Sequence, residues 1–219
     1  MEIVLMKNVL DRNQNVAQLN RKTLAEKNIL MINIISSPGA GKTSLLEKTL
    51  AHFCGELKIA IIEGDVATDN DARRLQPFNA PIIQINTEGG CHLDSHSVAR
   101  AFDHLNLDQL QLIIVENVGN LVCPSAFDLG ENQKVAMISV PEGDDKPVKY
   151  PMLFRESSVV VLNKTDLIPY TNFSRDRFGK YIHDLNGNLP VIETSCTNGS
   201  GLPIWFDWIR SQMRSDFAI

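Results

Sequence analysis

Cys91, His92 and Cys123 lie between two segments whose residue types suit nucleotide chemistry. The upstream segment is Ser36-Ser37-Pro38-Gly39-Ala40-Gly41-Lys42-Thr43, followed by Ser44. Small residues at Gly39, Ala40 and Gly41 allow successive backbone N–H groups to face a polyphosphate. A helix starting behind them adds its partial positive charge. Lys42 is expected to reach the β- and γ-phosphates, and the Thr43 hydroxyl to coordinate Mg²⁺. Ser36 stands where this motif normally begins with glycine, and Ser37 where one ATPase branch carries a second lysine.

The downstream segment, Asn163-Lys164-Thr165-Asp166, resembles the N-K-x-D motif of GTPases. The Asp166 carboxylate can accept from both N1–H and the 2-amino group of guanine, a pair adenine does not offer. Losing that pair would leave a buried acceptor unmet, so guanine selection should be steep. The Lys164 stem is expected to lie along the base, and Asn163 to tie this loop to the phosphate loop. Thr194-Ser195-Cys196 takes the place of a weaker S-A-K element, with Ser195 touching the base and Cys196 structural.

Strand-end acids are candidates for Mg²⁺. Asp65 follows the apolar run ending at Glu63-Gly64, and Glu116 follows Leu112-Ile113-Ile114-Val115. Glu116-Asn117-Val118-Gly119 resembles the D-x-x-G switch with glutamate in place of aspartate. Mg²⁺ keeps several waters, so either acid can act through one. Lys42, Asp65 and Glu116 form the candidate catalytic set, with Asp65 or Asp69 orienting the attacking water. No catalytic glutamine or arginine finger is identifiable, so hydrolysis is expected to be slow alone.

The thiols and the imidazole call for a different ion. Thiolate and imidazole favour zinc, nickel or copper over magnesium, and nickel(II) suits square-planar sets. Gly89-Gly90-Cys91-His92-Leu93-Asp94 reads as a helix opening, which would lower the Cys91 pKa. Cys123 falls a few residues beyond the switch, in Leu121-Val122-Cys123-Pro124. The spacing is not that of a zinc finger, and on composition alone the cysteines could equally be small hydrophobes. Two chains about a twofold axis would pool six such ligands, so a shared site is expected. Cys54 reads as core, and His52, His96, His104 and His183 have no ligand spacing.

These residues need a framework that brings them to one edge. Apolar runs at 29–35, 58–63, 82–86, 112–116, 135–140, 158–163 and 191–194 read as strands. They alternate with helical stretches at 42–54, 70–75, 93–104, 173–185 and 203–213. This alternation predicts an α/β fold of the P-loop NTPase kind, with three layers and a mostly parallel sheet between helices. Ligands of such sheets bind beyond the carboxyl ends of the strands, where every motif above falls. Residues 8–27 read as a weakly amphipathic helix. Residues 1–28 are therefore expected to form an N-terminal helical extension, and 29–219 the nucleotide-binding domain with its metal site.

Bulk properties narrow the partners. The 219 residues are 43% hydrophobic and 21% charged with net charge -5, ordinary for one globular core and without a basic footprint for nucleic acid. No run approaches the ~20 apolar residues of a membrane span. Four unclustered cysteines make no disulfide framework, and a cytoplasmic protein is expected.

Taken together, these motifs resemble the HypB family, the nickel-incorporation GTPases of hydrogenase maturation. The resemblance rests on 36–43, Glu63-Gly64-Asp65, Gly90 to Asp94, Glu116 to Pro124 and 163–166, and covers roughly 8–214. Glu142-Gly143-Asp144-Asp145-Lys146-Pro147 and Lys149-Tyr150-Pro151 fit the same pattern. Urease accessory GTPases differ, having Cys-Pro-His and no Val-Cys-Pro. The resemblance implies GTP and GDP as ligands, a homodimer in the GTP state, and nickel delivery to the hydrogenase large subunit. It also implies a HypA-type zinc-containing partner, with zinc able to compete at Cys91, His92 and Cys123. Some members carry an N-terminal Cys-x-x-Cys-Gly-Cys site or a histidine-rich stretch. This sequence shows neither, which leaves the switch-linked site as its expected nickel handle.

Overall fold

The computed structural model describes residues 2–65, 70–87 and 89–216, with side chains described over 10–64, 73–87 and 89–214. Asp69 and the Asp65 side chain lie outside the described residues. The strands are β1 (Leu30–Ser36), β2 (Ile59–Asp65), β3 (Ile82–Asn86), β4 (Leu112–Glu116), β5 (Gln133–Ser139), β6 (Val159–Asn163) and β7 (Val191–Glu193). The helices are α1 (Glu2–Glu26), α2 (Lys42–His52), α3 (Asn70–Leu75), α4 (Ser95–Phe102) and α5 (Cys123–Ala126). They continue with α6 (Lys146–Lys149), α7 (Pro151–Glu156), α8 (Arg175–Leu185) and α9 (Leu202–Asp216).

The seven strands form one sheet in the order β3-β2-β4-β1-β5-β6-β7. Every pairing is parallel, so the expected mostly parallel sheet is parallel throughout. Strands β1, β4 and β6 are buried along their whole length, which explains their near-continuous apolar runs. Alternation along β1 separates the two faces. Leu30, Ile32 and Ile34 pack with Leu45, Leu46, Trp205 and Ile209 of α2 and α9. Met31 packs with Val98, Ala101 and Phe102 of α4 and with Leu24 of α1, while Ile35 packs with Leu153, Phe154, Phe178 and Ile182 of α7 and α8. A P-loop NTPase fold of three layers results.

The leading helix is attached more firmly than its weak amphipathicity suggests. Beyond the buried Ala17 and Leu24, its polar side chains make specific bonds. Asn20 Nδ2 donates to both the Ser95 and Leu129 carbonyls at 2.9 Å. Asn13 accepts from the Ser95 amide and donates to the Asp128 carbonyl, and Arg21 forms a bidentate pair with Asp128. No described helix is long and apolar enough to cross a membrane.

Candidate functional site

Parallel register brings the strand ends to one edge: Glu63 of β2 lies beside Glu116 of β4, and Ile34 of β1 pairs with Glu116 on the other side. A cavity of about 500 Å³ opens there, lined by Gly39, Gly41, Lys42, Thr43, Glu116 and Lys164 among others. Its floor is the loop between β1 and α2. Gly39 and Gly41 take φ of 74° and 102°, a region closed to most side chains. Lys42 Nζ donates to Ser36 Oγ at 2.9 Å, and the Thr43 hydroxyl donates to Glu116 Oε1 at 3.1 Å. Gly119 fits directly against this loop, since a Cβ there would sit 2.8 Å from Pro38 Cγ.

The segment after β6 closes on the same loop. Asn163 Nδ2 donates to the Ala40 carbonyl at 2.9 Å and Lys164 Nζ to the Gly39 carbonyl at 2.7 Å. Ser195 Oγ donates to Asp166 Oδ1 at 2.5 Å, which fixes that carboxylate's direction. Thr194 donates to Asn163 Oδ1, so the β7 loop braces both ends of 163–166. Cys196 packs at the core's edge, where burial pushes its thiol up to about 11.

Cys91, His92 and Cys123 converge within one chain. Their ligand atoms all lie within 4.8 Å of one another, and Cys91 Sγ is 3.5 Å from His92 Nδ1. The His92 ring rests on Phe127 with centroids 3.8 Å apart, and burial holds its pKa below the ordinary value. Asn120 braces both arms: its Nδ2 donates to the Cys91 carbonyl and its Oδ1 accepts from the Val122 amide. Such a donor set suits a soft transition metal.

Two expectations need correction here. Helix α4 starts at Ser95 with Asp94 as its N-cap, accepting from the Ser97 amide, so Cys91 precedes the helix rather than heading it. Its pKa is accordingly not lowered. Hydrogen bonding with Cys123 raises it first, then burial, then the charge of that neighbour. Cys54, expected in the core, is exposed beyond the end of α2.

Other residues carried weaker signals. Glu63, buried and lining the cavity, is a strand-end acid like Asp65 two positions on. Arg74 also lines the cavity; it bonds both Glu47 oxygens and Ser44 Oγ, a contact no motif announces. Asn117, only 1% exposed, uses its whole carboxamide inside the protein.

A glycine-bent loop at a helix start, with a lysine and a strand-end acid facing the same cavity, defines a P-loop nucleotide-binding protein. This one carries a Cys/His cluster beside the cavity. The nucleotide-binding domain of the CobW/HypB/UreG family matches residues 30–193. Hydrogenase maturation factor HypB of Escherichia coli K12 is 46% identical over 204 residues, covering 93% of this chain and 70% of that protein. The probable HypB of Methanocaldococcus jannaschii is 40% identical over 210 residues, covering 96% and 95%. A crystal structure of Helicobacter pylori HypB in complex with nickel superposes with a TM-score of 0.89 at 33% identity, covering 94% and 97%. The chain belongs to the HypB branch of the CobW/HypB/UreG family.

Proposed function

We propose that this chain is a GTPase coupling GTP binding and hydrolysis to nickel delivery in [NiFe]-hydrogenase maturation. One observation carries the reading. The Cys91/His92/Cys123 cluster includes a residue from the segment directly beyond Glu116, whose carboxylate bonds the phosphate-loop hydroxyl of Thr43. The nickel-bound Helicobacter pylori relative and the hydrogenase maturation factors of similar sequence support it.

In this reading residues 1–28 are a helical extension and 29–219 the GTPase domain of a cytoplasmic protein. The amides of Gly39, Ala40, Gly41 and Ser44 hold the phosphates, and Lys42 leaves Ser36 for the β- and γ-oxygens. Asp166, aimed by Ser195, reads guanine, with Lys164 along the base and Asn163 holding the loop. Thr43 and Glu116 present hard oxygen donors 3.1 Å apart in the cavity, which fits Mg²⁺, and Asp65 completes the set. Magnesium, when bound, neutralises charge on the β- and γ-phosphates. Asp65 or Asp69 is assigned to orienting the attacking water, and Glu116 to sensing the γ-phosphate.

Nickel is cargo on Cys91, His92 and Cys123, and zinc competes for the same three. GTP draws two chains together so that their clusters face, and hydrolysis loosens them. A HypA-type protein and the hydrogenase large subunit are the partners in transfer. Size exclusion with GDP or a non-hydrolysable GTP analogue, with nickel and zinc assayed in each peak, tests this. A dimer with altered nickel content in the analogue alone, lost in Cys91→Ala, is expected. Identical profiles and metal content in both nucleotides would overturn the reading.

A further inference from the structure

Asn117 occupies the position between the strand-end Glu116 and the switch residues Val118 and Gly119. Its carboxamide oxygen accepts from two amides at once: Val118 N at 2.9 Å and Leu93 N at 3.2 Å. The first amide lies in the switch. The second belongs to the residue directly after His92. Its nitrogen donates to Asn33 Oδ1 at 3.2 Å, on the strand that runs into the phosphate loop. Asn33 in turn donates to Glu131 Oε1, and Glu131 Oε2 accepts the Leu129 amide in the segment beyond Cys123.

All three side chains are buried: Asn117 is 1% exposed, Asn33 0% and Glu131 7%. Water therefore does not replace these bonds when one partner moves, and a buried amide left unmet is strongly disfavoured. A displacement of Val118 must either carry Asn117 with it or break a buried bond. The same oxygen holds Leu93, so the displacement reaches the Cys91-His92 segment. Asn120, directly after Gly119, also bonds the Cys91 carbonyl, but Asn117 is the residue whose nitrogen continues to β1 and the phosphate loop.

We propose that Asn117 is the positioning residue that transmits the nucleotide state to the metal ligands, through the one oxygen shared by Val118 N and Leu93 N. This rests on the GTPase reading above. It adds a named route to it. Asn117 borders the cavity but is only 1% exposed, and in this role it fixes the distance between the switch and the metal-ligand segment.

The test compares nickel affinity in the GDP state and in the state with a non-hydrolysable GTP analogue, by competition with a chromophoric chelator. The ratio of the two affinities cancels any uniform loss caused by a substitution. Wild type should show a ratio of about 5-fold or more, the scale of ordinary site-to-site coupling. Asn117→Ala should bring it below about 2-fold, and Asn117→Asp, which keeps the acceptor, should restore much of it. Should Asn117→Ala fail to fold, amide exchange at Leu93 in the wild-type protein decides. Its protection should differ between the two nucleotides, and equal protection overturns the proposal. A wild-type ratio near one would instead defeat the GTPase–nickel reading. A wild-type ratio retained in Asn117→Ala defeats the Asn117 route alone.

Discussion

The Asn163 side-chain nitrogen donates to the Ala40 carbonyl at 2.9 Å, joining loops 123 positions apart in the chain. This bond leaves no room above Gly41, where an ideal Cβ would stand 2.5 Å from that nitrogen at a φ of 102°. Gly41→Ala should therefore strain the backbone and displace Asn163 together. Forcing a side chain into such a conformation costs about 1–3 kcal/mol, so GDP affinity should fall roughly 10- to 100-fold by calorimetry. Gly39→Ala meets no atom within 4 Å and should lose less. Equal affinities for Gly41→Ala and wild type would contradict the geometry.

Ser195 aims the Asp166 carboxylate by a 2.5 Å bond. Asp166→Ala removes the acceptor that guanine's two donors need, and GTP affinity should drop by about 10²-fold or more while ATP affinity changes little. Fluorescent-nucleotide displacement reads both. A variant that keeps its preference for GTP over ATP would show that another group reads the base.

Cys91 and His92 are pushed in opposite directions. Burial lowers the His92 pKa from 6.5, so its imidazole is already neutral there. Cys91 is raised above 9.0 by Cys123 and by burial, so its thiol keeps its proton across neutral pH. Nickel must displace the Cys91 thiol proton, not an imidazolium proton. Nickel affinity should climb steadily from pH 6.5 to 8.5 with proton release on binding. A profile that is flat over that range would refute this assignment.

Asn20 spans the two segments that carry the soft ligands, holding the Ser95 and Leu129 carbonyls from α1. Asn20→Ala leaves two buried acceptors short of a donor, a loss of about 1–3 kcal/mol. The urea midpoint should fall with an unchanged slope. Gly130→Ala should act more harshly, because its Cβ would stand 2.6 Å from the Ala17 carbonyl oxygen of the same helix at a φ of 92°. A midpoint unmoved by either substitution would mean α1 contributes little to the fold.

Much of this architecture was legible because its causes are local. Strand β4 matches its expected bounds of 112–116, since a buried parallel strand reads as a short apolar run between polar breaks, and the half-buried edge strand β3 matches its 82–86. The phosphate loop was equally plain, as only small residues permit its backbone. Helix α4 was set two residues early, because Asp94 acts as a cap rather than as part of the helix. That one shift reversed the Cys91 pKa: outside the helix, the thiol feels Cys123 and burial instead of a dipole.

By itself, then, the sequence determined the strand–helix alternation, the phosphate loop and the kinds of ligand available, all properties of residues near one another in the chain. The tertiary structure decided what those residues meet. Register between β2, β4 and β1 puts Glu116 beside Thr43, and folding brings Cys123 to Cys91-His92 within 4.8 Å. It also made Asn117, Asn33 and Glu131 one buried chain of bonds. No periodicity announces such a chain. An isolated asparagine in an apolar run looks like an interruption until burial forces it to find its partners.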